Sequence, residues 1–287
     1  MNQIKVGFSG SDERFSALGY KSTVQMPEYV TSLGLDCFEY SFGKGVRISE
    51  QTAITIGKAF ENAGVEFSVH APYFINFANP DEEKIKNTFD YLIDSCKTHE
   101  FFKGKRVVFH PGSYLKMTPE EAFGNTYANF SRFLDMYGDY LSDNDFYVCP
   151  ETMGKSSQVG TVEEVAKLSA LHKNVIPCID FGHLNARYGG ILKESSDFQK
   201  VVDELSIYLE DSKVKNMHVH FSKIEYGAKG EIRHLTFEDE TYGPNFEPLA
   251  EVIHNNGLTP YIICESSGTQ GLDAEFMKKV LSTFNNK

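Results

Sequence analysis

The 287 residues carry 28 Lys+Arg against 40 Asp+Glu, a formal net charge of −12 with histidines neutral. A 41% hydrophobic content with 23 Phe and 15 Tyr excludes a disordered chain, and 23 Gly with 10 Pro excludes a collagen-like one. The acidic balance points to a soluble protein and argues against a broad surface that coats nucleic acid.

In chain order, the β-rich run IKVGF (4–8) comes first, and DCFEY (36–40) follows a helix stop at Gly34. Ser49 is a suitable N-cap for SEQTAITIGKAFENAG, which Gly64 ends before VEFSVH (65–70). The helical pattern DEEKIKNTFDYLIDSCKTHEFF leads to RVVFH (106–110). Thr118, with Glu121 three residues on, caps the helix before FYVCPE (146–151), and Thr161 caps the one before VIPCID (175–180). Ser196 is the expected cap of SDFQKVVDELSIYLED before VKNMHVH (214–220), and Gly257 precedes PYIICE (260–265). Continuous apolar runs are the mark of parallel strands buried on both faces.

Eight such runs alternating with helices give a single (β/α)8 TIM barrel over residues 1–287, with no linker or charge block to divide it. A doubly wound sheet is the alternative fold, but FSGSDERF after the first strand is a poor match to a phosphate loop. Cys37, Cys96, Cys149, Cys178 and Cys264 form no C-x-x-C pair and read as buried free thiols of a reducing cytosol. The first residues lack a signal-peptide apolar core, and no stretch approaches the ~20 apolar residues of a membrane span, so the expected location is cytoplasmic. No feature calls for a protein partner.

From the third run onward the strands end in His70, His110, Glu151, Asp180, His220 and Glu265, about one βα unit apart. In a barrel these ends converge on the C-terminal face, where charged groups must be paired or coordinated. Imidazole plus carboxylate without thiolate suits Zn, Mn or Fe rather than Ca. His183 follows Asp180 by three residues and can reach the same mouth. His218 points to the same side of its strand as His220; His220, nearer the strand end, is the first choice of ligand and His218 the second. Glu231 and His234, on the following long loop, can complete a further site with His183. His99, His172 and His254 read as surface residues of the far end or outer ring.

SVHAPYFINFANPDEEKIKNTFDYLIDSCK running on to VVFHPGSY, then CPETMGK, CIDFGHLNA, HFSKIEYGAKGEIRHL and IICES, resembles the endonuclease IV family of apurinic/apyrimidinic endonucleases. The resemblance covers essentially the whole chain, is closest to the divergent archaeal-type branch, and falls within the xylose isomerase-like barrels. It implies a DNA repair enzyme that hydrolyses the phosphodiester 5′ to abasic sites with two or three zinc ions, Mn2+ or Fe2+ being other ions the donors suit. His70 and His110 would bind one ion, bridged by Glu151 to a second held by Asp180, His220 (or His218) and Glu265. His183 and His234 would bind the third. The family's aspartate at this third site falls on Ile232, and the adjacent Glu231 is expected to substitute for it. Glu151 would set the separation of the pair, and Glu265 or Asp180 would orient the attacking water. Tyr73 and Phe74, with Lys44 and Arg47, would contact DNA containing the abasic site. Two rival readings are a one-metal sugar isomerase or epimerase of the same superfamily, and a metal-containing barrel that binds phosphate or DNA without catalysis. The number of candidate ligands exceeds what the first rival needs.

Overall fold

A computed structural model describes residues 3–285. Eight parallel strands form the barrel: β1 (Lys5–Ser9), β2 (Cys37–Ser41), β3 (Glu66–His70), β4 (Arg106–Phe109), β5 (Tyr147–Pro150), β6 (Cys178–Asp180), β7 (His218–Phe221) and β8 (Tyr261–Cys264). They pair in sequence order, and β1 closes on β8 with Gly7 opposite Ile263. Only the β5–β6 seam is loose, held by the isolated bridges Val148–Val175 and Glu151–Cys178. Across this seam the N–H groups of Val148 and Thr152 donate to the Asn174 and Cys178 carbonyls, but Pro150 between them has none to give; Pro177 likewise lacks the N–H that would face β7, so the expected strand from 175 is paired as a strand only from Cys178. The run from 214 likewise starts late, at His218, because Asp211–Lys215 is a short helix.

Strand alternation divides the side chains into two populations. Val69, Val107, Val148, Ile179, Val219 and Ile262 face outward into one continuous core beneath the helices. Val108, Cys149, Ile176 and Cys178 pack together as a separate cluster inside the barrel, as do Cys37, Tyr261 and Ile263. All five cysteines are buried free thiols.

Ser49 caps Glu50–Ala63 by accepting from the Thr52 N–H, and Thr118 and Thr161 each form a full capping box. Gly34, Gly64 and Gly257 take positive φ just past helix ends, where a side chain would be strained. Ser196 is not a cap: the helix begins at Ser195, and the Asp197 carboxylate accepts from the N–H groups of Lys193 and Glu194 instead. His99 also departs from expectation. It is fully buried between Phe67, Phe102 and Phe146, because the Glu82–Phe102 helix turns that position against β3. His254 is exposed and His172 half-buried. Among the described residues no helix is long and apolar enough to cross a membrane.

Candidate metal centre

The strand ends deliver their side chains to one mouth. His70 and Asp180 close β3 and β6, His220 is the penultimate residue of β7, and His110, Glu151 and Glu265 lie one residue beyond β4, β5 and β8. Together with Tyr73, His183, Glu231 and His234 most of them line an open cavity of about 280 Å³. A larger cleft, about 450 Å³, opens where Lys5 pairs with Glu66 and Arg106 with Asn216. None of the grouped donors described below lines it.

Glu151 is the hub. It is 1% exposed, with Oε2 3.0 Å from His70 Nε2 and 3.2 Å from His110 Nε2. Its other oxygen, Oε1, lies 3.2 Å from both His220 Nδ1 and His183 Nδ1. Three donor sets result, each with ligand atoms within 4.8 Å of one another: His70–His110–Glu151, Glu151–Asp180–His220–Glu265, and His183–Glu231–His234. Two of them share Glu151. A further close group, Cys178–His218–His220, is entirely buried.

Local structure explains how the imidazoles are aimed. Asp180 caps the Phe181–Arg187 helix through Oδ1, which accepts from the His183 N–H at 2.7 Å. That single cap fixes the i, i+3 relation and leaves Asp180 Oδ2 buried without a hydrogen bond among the described residues, 3.2 Å from His183 Nδ1, which is directed to the Thr152 carbonyl instead. His70 Nδ1 faces the Ala71 carbonyl at 2.9 Å, and His183 Nδ1 faces the Thr152 carbonyl at 3.0 Å. Since a carbonyl only accepts, both Nδ1 atoms donate, and each Nε2 keeps its lone pair toward the mouth in the neutral ring. His234 Nδ1 is held by Ser222 Oγ at 2.8 Å. This is the arrangement by which outer groups orient metal-binding histidines. An orphaned buried carboxylate oxygen and oriented imidazole nitrogens, with no thiolate in the three sets, fit borderline-soft divalent ions such as zinc.

The third set depends on two glycines and a bulge. Lys223–Gly227 and Gly230–Leu235 form an antiparallel hairpin in which Glu225 pairs with Arg233 but Tyr226 pairs with Glu231. Ile232 is therefore the extra residue, and it is 58% exposed. In an unbroken strand Ile232 and His234 would share a face; the bulge puts Glu231 there instead. Gly230 (φ +90) lets the hairpin lie against Gly154, whose carbonyl accepts from the Glu231 N–H at 3.1 Å. Glu231 Oε2 thereby reaches 3.5 Å from His183 Nε2.

Electrostatics in the mouth follow from packing acids and imidazoles out of water. Burial would raise the Glu151 pKa, but His220, His110 and His183 hold it well below the usual carboxylate range. Burial pushes the Asp180 carboxyl up, partly offset by His183. Burial alone would lower His70, but its hydrogen bond to Glu151 carries it to about 9. For His110 burial wins, and its pKa falls.

Other expected site residues separate into those at the mouth and those elsewhere. Tyr73 and Phe74 are each 48% exposed on the loop after β3, with ring centroids 4.5 Å apart; Tyr73 lines the cavity and Phe74 stands outside it. Lys44 and Arg47 are exposed and do not line the cavity; Gly43 does, because the loop turns its backbone rather than these side chains to the mouth. His218 sits deeper than His220, and its Nε2 faces Glu39 Oε2 at 3.2 Å, not the mouth carboxylates. Two residues were not foreseen. Lys155 lines the cavity. Glu39, on β2, is fully buried beside His218 and His220. The available signal was an acid within the apolar run DCFEY, which burial forbids without a partner.

Comparison with known proteins agrees with this architecture. The chain is 34% identical to an uncharacterised protein of Methanocaldococcus jannaschii over 83% of its length and 85% of that protein. It is 32% identical to a protein named probable endonuclease 4 in Mycoplasmopsis synoviae, over 68% of this chain and 69% of that one. Among solved structures, endonuclease IV from Thermus thermophilus superposes with a TM-score of 0.68 at 20% identity, covering 98% of this chain and 99% of that one. A D-tagatose 3-epimerase-like protein superposes with a TM-score of 0.73 at 20% identity, covering 99% of both. Fold neighbours thus include both an endonuclease and a sugar-epimerase-like protein. Residues 27–281 match the family model of the xylose isomerase-like TIM barrels, and the chain belongs to that family.

Proposed function

We propose that this protein is a multi-metal phosphodiesterase that incises DNA on the 5′ side of abasic sites, leaving a 3′-hydroxyl and a 5′-deoxyribose phosphate. The observation that carries the reading is the presence of three donor sets, two of them joined through Glu151. His70, His110 and Glu151 would hold one ion, Glu151, Asp180, His220 and Glu265 a second, and His183, Glu231 and His234 a third. Such ions supply Lewis-acid stabilisation of the phosphoryl group and lower the pKa of an attacking water.

The residues themselves do the rest. Glu151, pinned between four imidazoles, fixes the separation of the first two sets. Glu265, partly exposed at the rim, orients the attacking water by accepting a hydrogen bond from it. Lys155 adds a cation where a phosphate would enter. Tyr73 and Phe74 offer apolar surface to the gap left by the missing base, whose sugar costs little to turn out of the stack. The overall −12 argues against wide wrapping of the DNA backbone. It is compatible with a grip on one phosphate, because three divalent ions would add six positive charges in this mouth.

The set Glu151–Asp180–His220–Glu265 alone would serve a one-metal sugar isomerase or epimerase, the second reading, which the epimerase-like fold neighbour supports. The other two sets have no task in that chemistry. Incubating the zinc-loaded protein with a duplex containing one abasic site, with and without chelator, tests the proposal. Chelator-sensitive scission at the 5′ side is expected; binding without scission overturns it.

A further inference from the structure

Glu39 stands outside the donor sets, yet it touches one of their members. Its Cα is in register with Ser68 across the β2–β3 ladder, and alternation turns its side chain into the barrel with Cys37 while Phe38 turns outward to Phe60 and Phe67. The carboxylate is 0% exposed. Ser68 Oγ donates to Oε2 at 2.8 Å, and His218 Nε2 lies 3.2 Å from the same oxygen. The other oxygen, Oε1, is 3.0 Å from His220 Nε2. His220 Nδ1, on the opposite edge of the ring, points to Glu151 Oε1 at 3.2 Å and Glu265 Oε2 at 3.5 Å.

An imidazole wedged between carboxylates on both edges has two ways to place a single proton. A buried charged group is tolerated only beside a compensating donor. Glu39 Oε1 is closed off from bulk solvent and has no hydrogen-bond partner among the described residues, so a proton on His220 Nε2, 3.0 Å away, supplies the compensating positive end and leaves the Nδ1 lone pair toward the mouth. His70 and His183 have a backbone carbonyl on Nδ1 and His234 a hydroxyl; His220 has on Nε2 the carboxylate of Glu39, an acid that belongs to none of the three donor sets. An anionic partner also makes the ring a stronger donor to a cation than a neutral partner does.

We propose that Glu39 is a positioning residue that fixes the tautomer and raises the ligand strength of His220, with Ser68 and His218 holding its carboxylate in place. The assignment rests on the reading that the mouth binds divalent metal. It makes Glu39–His220 the deep anchor of the Glu151–Asp180–His220–Glu265 set, with no part for Glu39 as a ligand itself.

The test is zinc affinity, measured on the full chain by competition with a chromophoric chelator, together with the unfolding midpoint of the metal-free protein. Glu39→Gln keeps the shape and one acceptor but removes the charge. It should weaken one ion by about 10–100-fold and leave the others at wild-type affinity. Cobalt-substituted protein should show a changed visible spectrum for that ion alone. Ser68→Ala, which disturbs packing little, should weaken the same ion by a smaller factor and stands in if Glu39→Gln does not fold. Wild-type affinities in both variants, with only the unfolding midpoint moved, overturn the proposal in favour of a purely structural carboxylate. Loss of an additional ion, beyond those of the three mouth sets, overturns it in favour of Glu39 as a ligand with His218. A wild-type chain that binds no ion overturns this assignment and the metal-based function together, whereas unchanged affinity in the variants removes this assignment only.

Discussion

Glu231 reaches His183 because Gly154 has no side chain. A Cβ on Gly154 would lie 2.7 Å from Glu231 Cβ, 2.9 Å from its Oε2 and 3.0 Å from His183 Cδ2. Backbone contact between the β5–β6 connection and the hairpin thus sets the width of the third donor set. Gly154→Ala should push the hairpin outward and weaken the ion of that set by about 10–100-fold, as other disturbances of a ligand's support do. Zinc titration of the variant checks this; three ions at wild-type affinity would show that the close approach is unimportant.

The bulge assigns opposite roles to neighbours in sequence. Glu231→Gln removes a charged donor and should lower zinc content by about one ion per chain. Ile232→Ala, at a position pointing to solvent, should leave metal content intact and change stability by no more than about 0.5 kcal/mol. Metal analysis and urea unfolding of the two variants decide it, and a metal loss confined to Ile232→Ala would mean the hairpin register is shifted by one.

Tyr73 contributes surface and no ligand. Tyr73→Ala should keep wild-type metal content while weakening binding to an abasic duplex by about 1–3 kcal/mol, the usual worth of an aromatic stacking partner. Fluorescence anisotropy at constant salt measures the change. Equal binding by the variant would place the DNA contact elsewhere on the rim.

His99 gives a pH dependence separate from the mouth. Burial among phenylalanine rings pushes its pKa down from 6.5 to about 3, and neither ring nitrogen has a hydrogen-bond partner among the described residues. The unfolded chain therefore takes up a proton that the folded chain refuses. The neutral ring's contribution is complete above pH 6.5 and declines as pH falls toward 3. At about 1.4 kcal/mol per pH unit, roughly 2 kcal/mol should be lost between pH 6.5 and 5. His99→Leu should flatten that part of the stability curve, as urea unfolding at pH 7 and pH 5 would show; an unchanged slope would mean the ring is solvated in the native state.

The barrel was readable in the sequence because buried parallel strands are continuous apolar runs, and the polar residues ending them stand out. The strand-end positions carried Glu151 and its imidazoles without any knowledge of contacts. Position 39 was harder: a charged residue in the middle of a strand has meaning only once Ser68, His218 and His220 are seen around it. The Ile232 departure was visible and Glu231 was its expected substitute, but the bulge that turns Glu231 inward was not, since alternation alone cannot reveal it. His99 followed the same logic from the other side. Its helix is amphipathic with charged residues nearby, and only tertiary packing decides that the imidazole lies on the buried stripe.

The central claim is that the mouth holds three ions. Anomalous diffraction from zinc-loaded crystals, with metal counted per chain in the same preparation, addresses it most directly. Three ions are expected, at His70–His110–Glu151, at Glu151–Asp180–His220–Glu265 and at His183–Glu231–His234. A single ion confined to the Glu151–Asp180–His220–Glu265 set would contradict the account and favour the sugar isomerase or epimerase reading.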